Sequence, residues 1–219
     1  MSTKISVGVI STGVSNAFNV VKALRSVGGD VKIVGDSGEM KRYDRLIIPG
    51  VGSYSPAMLH LDEIGLRSEI LEFAASGKSV LGICLGMQLL MSEGLERGKT
   101  TGLGIVPGSV VPISSFFPKD QMKRVPHIGW SKVHCPDSQN TSMGIGEGAT
   151  DKDFYFAHSY TVAPQESDQI RMSFVNYAGL RLVAAFKKEN ILGVQFHPEL
   201  SGPNGLQFLS DFMSDEYVD

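Results

Sequence analysis

Two glycines, set two residues either side of a cysteine, constrain this chain more than any other feature. In Ser79-Val80-Leu81-Gly82-Ile83-Cys84-Leu85-Gly86-Met87-Gln88-Leu89-Leu90 an apolar run rich in β-formers stops at Cys84, and a helix-forming run, Met87 to Met91, begins just after it. This is the G-x-nucleophile-x-G spacing of a sharp strand-to-helix turn, with Cys where hydrolases often carry Ser. Such a turn strains the backbone of its central residue and leaves no room for neighbouring Cβ atoms, hence the glycine flanks. It lifts the side chain to the carboxyl end of a strand and aims the N–H groups of the next helix at it, a setting suited to an anionic nucleophile. A lone cysteine in a core is otherwise a small apolar residue. With both glycines in register the nucleophile is the better reading, and it requires a base elsewhere in the chain.

The preceding sequence says what kind of sheet the turn belongs to. Residues 5–10 read as a buried strand, 11–16 as a polar turn ending in an N-cap, and 17–27 as an amphipathic helix. Strands at 31–34 and 45–48 follow, then helical material around 56–60 and 66–76 before the strand at 79. This alternation predicts an α/β fold with a mostly parallel central sheet and helices on both faces. Ligands in such sheets sit beyond the carboxyl ends of the strands, so the loops after Ile10, Ile48 and Ile83 are expected to share one rim. After residue 105 the character changes. Short β-rich pieces at 109–113, 128–133, 154–157, 170–177, 182–186 and 191–195 are separated by turns, with prolines arguing against long helices. They read as antiparallel additions to the sheet, closed by a helix at 203–213 and a frayed tail at 214–219.

Composition excludes several classes. A chain of 219 residues, 42% apolar and without a Pro/Ser-rich linker, reads as a single domain over 1–219. A net charge of -3 without a basic run speaks against nucleic acid and membrane surfaces as partners. Cys84 and Cys135 make neither a disulfide framework nor a zinc site, and no metal or cofactor is called for. No segment reaches the roughly 18 apolar residues of a membrane span, and the first strand is too short for a signal-peptide core. The chain reads as cytoplasmic.

Five histidines compete for the role of base. His60 lies in a helix and His134 in a polar loop, each without a partner pattern. His197 ends the apolar run Gly193-Val194-Gln195-Phe196 and therefore lies on the rim. Pro198 favours extended backbone at His197. Side chains at i and i+2 of extended chain point the same way, so Glu199 can meet the ring nitrogen that faces away from the thiol. A carboxylate there sets the tautomer and stabilises imidazolium. The developing oxyanion needs donors as well: Leu85 N–H is one, and the Pro49-Gly50-Val51-Gly52-Ser53 loop offers others. His158, by its own pattern, reads as a satisfied core or rim histidine.

Three motifs in this order, Pro49-Gly50-Val51-Gly52-Ser53, Gly82-Ile83-Cys84-Leu85-Gly86-Met87-Gln88 and Gln195-Phe196-His197-Pro198-Glu199, resemble class I glutamine amidotransferases, a flavodoxin-like fold. Gly102 to Gly108, Val125-Pro126-His127-Ile128-Gly129-Trp130 and the segment Phe154 to Tyr160 narrow the resemblance to the glutaminase subunits of imidazole glycerol phosphate synthases. The resemblance implies that Cys84 attacks the side-chain amide of L-glutamine, with His197 and Glu199 completing the triad. It implies oxyanion donors on the backbone of Val51 or Gly52 and of Leu85. Glutamine contacts are implied at Gly50, Gln88, His158, Ser159 and Tyr160, the last three receiving the α-carboxylate largely through backbone groups. Pro126, His127, Gly129 and Trp130 are implied to face a partner, a (β/α)8-barrel cyclase bound as a heterodimer that takes up ammonia through a tunnel. Two positions depart from that pattern: Ser11 stands where Asp is usual, and Ser131 where Asn is common. They leave open a paralogue feeding ammonia to another synthase, for example one amidating a sugar. A regulatory protein with a retained cysteine elbow, or a cysteine peptidase or esterase, are the readings from other classes.

Overall fold

The computed structural model describes residues 5–12, 16–118, 125–135, 152–165 and 167–214. The first half alternates as expected: β1 (Ser6–Ile10), α1 (Ala17–Ser26), β2 (Asp30–Val34), β3 (Arg45–Ile48), α2 (Tyr54–Glu63), α3 (Leu66–Ala75), β4 (Ser79–Ile83) and α4 (Leu85–Leu89). Strand β1 pairs in parallel with β2 and β3, β3 with β4, and β4 with β13 (Ile191–Val194). Every residue of β3, β4 and β13 is buried, which is why, after Arg45 and Ser79 at the strand starts, these strands are apolar runs with no polar alternation. Alternate residues feed opposite faces. Ile47, Leu81 and Ile83 pack with Val20 and Leu24 of α1 and with Phe208 and Phe212 of α5 (Gly202–Phe212). Leu46, Ile48 and Val80 pack on the other side with Leu61 and Ile70 of α2 and α3.

The antiparallel additions are also present. Strands β12 (Leu180–Lys188), β11 (Arg171–Tyr177), β8 (His127–His134) and β9 (Asp153–His158) extend the sheet to nine strands, in the order β2-β1-β3-β4-β13-β12-β11-β8-β9. The tail beyond Ser214 expected to fray lies outside the described residues.

Two features differ from the sequence reading. The helix after Cys84 has only five residues, and Met91, expected in it, starts β5 (Met91–Gly94). A second sheet forms in the order β10-β7-β5-β6 from β10 (Tyr160–Pro164), β7 (Val106–Pro112), β5 and β6 (Thr100–Thr101), with β5 parallel to β7. The cause lies in the carbonyls at the end of α4. Leu103, Val106 and Gly104 donate their N–H groups to the carbonyls of Leu89, Leu90 and Met91, which a longer helix would have satisfied internally. The chain passes from β9 in the large sheet to β10 in the small one through Ser159 alone, so that residue sits where the sheets meet. Among the described residues no helix is long and apolar enough to cross a membrane.

Candidate active site

Cys84 occupies φ 52, ψ -107, a left-handed conformation that costs an L-residue on the order of 1–3 kcal/mol. The flanking glycines are sterically required. A Cβ on Gly86 would stand 1.7 Å from the Ile48 carbonyl oxygen, and one on Gly82 2.7 Å from Met87 N. The Cys84 N–H donates to Val194 O at 2.8 Å, which ties the elbow to the strand that carries the histidine. Cys84 itself is 6% exposed.

His197 follows β13 with extended backbone at φ -101, ψ 94, as the following proline favours. Its N–H donates to Tyr155 O at 2.8 Å, and its carbonyl accepts from Ser201 Oγ at 2.6 Å. The Nδ1 of His197 donates to Glu199 Oε1 at 2.8 Å, both side chains being buried. The route is not the extended i, i+2 alternation expected from sequence: Pro198–Leu200 is a 3-10 turn, and the turn folds the carboxylate back. Asn16 Nδ2, from the start of α1, donates to the same oxygen. Burial acts to lower the pKa of His197. Its hydrogen bonds to Cys84 and Glu199, with their charges, outweigh that and raise it to about 10. The ring therefore carries a proton at neutral pH, between the sulfur and the carboxylate.

A cavity of about 420 Å³ opens in front of the thiol. Its walls are Val51 and Gly52 on the loop after β3, Leu85, Gln88 and Glu96 beside the elbow, and Ala157 to Tyr160 at the junction of β9 and β10. The volume suits a small metabolite. Leu85 N–H, expected as an oxyanion donor, is not free: it donates to Gly50 O at 3.3 Å. Among the described residues the Val125–Pro126 bond is the one cis peptide, so the Gly50–Val51 peptide is trans and its Val51 N–H points opposite to that carbonyl. Close packing enforces glycine here too, since a Cβ on Gly50 would come within 2.9 Å of Leu85 Cβ.

His158 has both ring nitrogens engaged, Nδ1 with Tyr160 O at 2.8 Å and Nε2 with His127 Nδ1 at 3.0 Å. Burial pushes its pKa down to about 3, so it is a satisfied neutral histidine and no rival base. Gln88 gives Nε2 to Tyr160 O and to Gln195 Oε1, each at 3.1 Å. Of the four positions expected to face a partner, Trp130 is 56% exposed and Pro126 is also exposed. His127 is 1% exposed and faces inward, because side chains alternate along β8; its neighbour Ile128 takes the outward place at 61%. Among the described residues no cluster of His, Cys, Asp or Glu could hold a metal ion.

Four participants were not singled out in the sequence. Gln195 is fully buried and its Nε2 lies 3.5 Å from Cys84 Sγ. Glu96 places a carboxylate on the cavity wall and accepts the Tyr54 N–H at 2.7 Å at the start of α2. Asn16 and Ser201 support Glu199 and His197 as described. Gln195 could have been flagged as a polar residue inside an apolar strand end. The other three sit in turns or at helix starts, where polar residues are ordinary.

Comparison with known proteins fits this geometry. Residues 9–215 match the family described as Glutamine amidotransferase class-I. The chain is 41% identical over 202 residues to the imidazole glycerol phosphate synthase subunit HisH of Chlorobaculum tepidum, covering 91% of this chain and 95% of that protein. To the HisH subunit of Wolinella succinogenes it is 37% identical over 210 residues, covering 94% and 98%. Among solved structures, that of PurLQS from Thermotoga maritima aligns with a TM-score of 0.73 at 19% identity, covering 99% of this chain and 100% of that one. A structure described as a glutamine amidotransferase aligns at 0.70 and 19% identity, covering 94% and 97%. At that identity these two speak for the fold. The family match over residues 9–215 and the identity to these relatives show that the chain belongs to the class-I glutamine amidotransferase family.

Proposed function

We propose that this chain is the cytoplasmic glutaminase subunit of an imidazole glycerol phosphate synthase, paired as a heterodimer with a (β/α)8-barrel cyclase. The observation that carries the catalytic part is the buried His197 ring, hydrogen-bonded to the Glu199 carboxylate and to Cys84 at the edge of a substrate-sized cavity. Cys84 Sγ attacks the side-chain amide carbon of glutamine, and the C=O electrons move onto oxygen. Collapse of this adduct breaks the C–N bond while His197 Nε2 gives its proton to the leaving nitrogen, releasing ammonia and a γ-glutamyl thioester. His197, now neutral, takes a proton from water; the hydroxide adds to the thioester, and glutamate leaves as the sulfur is regenerated. Glu199 stabilises the imidazolium at the stages in which the ring is charged. A free amino acid also presents an ammonium and a carboxylate. Glu96 supplies the counter-charge for the first, and the Ser159–Tyr160 backbone suits the second.

The oxyanion requires donors, and the Gly50–Val51 peptide must turn over to release Leu85 N–H and present Val51 N–H. The chain alone is accordingly expected to hydrolyse glutamine slowly. The barrel and its nucleotide ligand then act by favouring the turned peptide, with Ile128 as an exposed contact on the cavity wall and Trp130 as a second exposed contact on the same strand. The relatives' names and their near-complete overlap with this chain support the acceptor. The test is an ammonia assay of wild type, Cys84→Ser and His197→Ala, each with and without a barrel cyclase subunit. Wild-type activity that rises with the barrel and vanishes in both variants supports the reading. Turnover that survives Cys84→Ser overturns the nucleophile, and turnover indifferent to the barrel assigns the ammonia to another synthase.

A further inference from the structure

An unbroken run of buried and part-buried hydrogen bonds leads from the thiol back to strand β8, and each link has a single allowed direction. The Tyr160 carbonyl can only accept, and it takes His158 Nδ1 at 2.8 Å and Gln88 Nε2 at 3.1 Å. His158 thus carries its proton on Nδ1 and, being neutral, leaves Nε2 bare. His127 is the cross-strand partner of His158 in the β8–β9 register, and its Nδ1 lies 3.0 Å from that bare nitrogen. His127 Nδ1 therefore donates, its Nε2 is bare in turn, and the Ser131 hydroxyl 3.0 Å away supplies the proton. Burial keeps both rings neutral. The His127 ring is stacked between Tyr177 at 4.0 Å and Phe156 at 4.8 Å, which holds its plane.

The same logic runs forward. Gln88 commits both N–H groups, to Tyr160 O and Gln195 Oε1, so its Oε1 is the only polar side-chain atom it can offer the cavity it lines. Gln195, with its oxygen occupied, turns Nε2 toward Cys84 Sγ at 3.5 Å. The reverse polarity would set a bare His158 Nδ1 against a carbonyl oxygen at 2.8 Å, two acceptors in contact.

We propose that Ser131 and His127 are positioning residues: through His158 and the Tyr160 carbonyl they hold Gln88 with its oxygen, an acceptor, toward the substrate and Gln195 with its N–H on the nucleophile. This deepens the glutaminase reading and rests on it. An acceptor at Gln88 selects a substrate with N–H donors, an ammonium or a primary amide, and disfavours a carboxylate in the same place. Ser131 closes the chain; without its hydroxyl, His127 Nε2 becomes a bare buried acceptor.

Two measurements on the full chain test this. In wild-type protein labelled with ¹⁵N-histidine, the resonances of His127 and His158, assigned with His127→Phe and His158→Gln, are expected to show protonated Nδ1 and bare Nε2 in both rings. An Nε2–H form in either ring overturns the chain. In glutamine hydrolysis, Ser131→Ala is expected to raise KM about 5- to 30-fold, the scale of one orphaned buried acceptor, with a smaller change in kcat. Ser131→Thr, which keeps the donor, restores KM. A folded Ser131→Ala protein with KM within about twofold of wild type, or a Thr variant no better than Ala, overturns the positioning role. A wild-type protein that hydrolyses no glutamine overturns the glutaminase reading instead, while the tautomers still decide the chain.

Discussion

Replacing Glu199 by Gln removes a charge and little else. Gln is isosteric, and its Oε1 can still accept from His197 Nδ1 and Asn16 Nδ2, so the tautomer of His197 is preserved. What is lost is the attraction between a carboxylate and an imidazolium 2.8 Å apart, about 6 kcal/mol before desolvation at an effective dielectric of 20. The net figure is smaller. Raising His197 from 6.5 to about 10 corresponds to on the order of 5 kcal/mol in favour of the protonated ring, divided between Cys84 and Glu199 after burial is subtracted. Assigning Glu199 somewhat under half gives about 2 kcal/mol, and with it a fall of about 30-fold in kcat/KM. The alkaline limb of the rate profile, where His197 loses the proton it gives to ammonia, should move down by about 1.5 pH units. Stability follows the same sign. A pKa above its unfolded value contributes stability that is complete below about pH 6.5 and is lost as the pH climbs through about 10. The melting temperatures of wild type and Glu199→Gln should therefore differ most near pH 6 and converge toward pH 10. Glutamate release followed from pH 6 to 10.5, with melts over the same range, reads both effects. An alkaline limb that stays in place in Glu199→Gln would refute the assignment of Glu199 as the charge partner of His197.

Three further substitutions probe packing, one at the elbow and two away from it. Gly86→Ala forces a Cβ to 1.7 Å from Ile48 O and should cost at least about 3 kcal/mol in urea unfolding or abolish soluble expression. Gly35→Ala, where nothing among the described residues lies within 4 Å, should be neutral or stabilise by up to about 1 kcal/mol. Tyr54→Phe removes a buried hydroxyl that has no hydrogen-bond partner among the described residues, and should raise stability by about 1 kcal/mol. A loss of that size on Tyr54→Phe would mean that the hydroxyl is bonded.

The elbow and the His-Pro-Glu turn were legible in the sequence because their physics is local. Gly82 answers to clashes within the turn and Gly86 to one with the end of the neighbouring strand β3, and Pro198 shapes both the residue before it and the turn after it. The parallel half of the sheet was legible for a similar reason, since strands covered on both faces leave unbroken apolar runs. The second sheet was not. Met91-Ser92-Glu93-Gly94 suits a helix as well as a strand, and its strand state is imposed by pairing with β7 and by donors from residues 102–104. Gln195 carried one local signal, a polar side chain in an apolar run, and Asn16 none; neither pointed to its partner, since Cys84 and Glu199 lie 111 and 183 residues away. His127 was misread as surface because the motif around it, with Ile128 and Trp130 facing out, does not say which residues of the strand alternate inward.

On the proposed reading, this site separates two requirements of acyl transfer. The charge machinery is assembled: His197 is protonated, Glu199 is in contact, and Gln195 is on the sulfur. The oxyanion donors are withheld by the single bond from Leu85 N–H to Gly50 O. Each missing donor is worth roughly 10²- to 10³-fold in rate, so a closed latch silences turnover without disturbing the triad. Opening it breaks one long hydrogen bond worth about 1 kcal/mol and rotates a peptide whose first residue is glycine. That bond alone favours the closed form only about fivefold; if the rest of the loop brings the ratio to 99:1, a ligand or partner must prefer the open form by about 5.5 kcal/mol to reverse it, within reach of a protein interface. A preference of that size cannot come from the substrate amide alone without also making the isolated chain active. The acceptor synthase is the party that gains from withholding ammonia until its own substrate is bound, and it is the party placed to supply the preference.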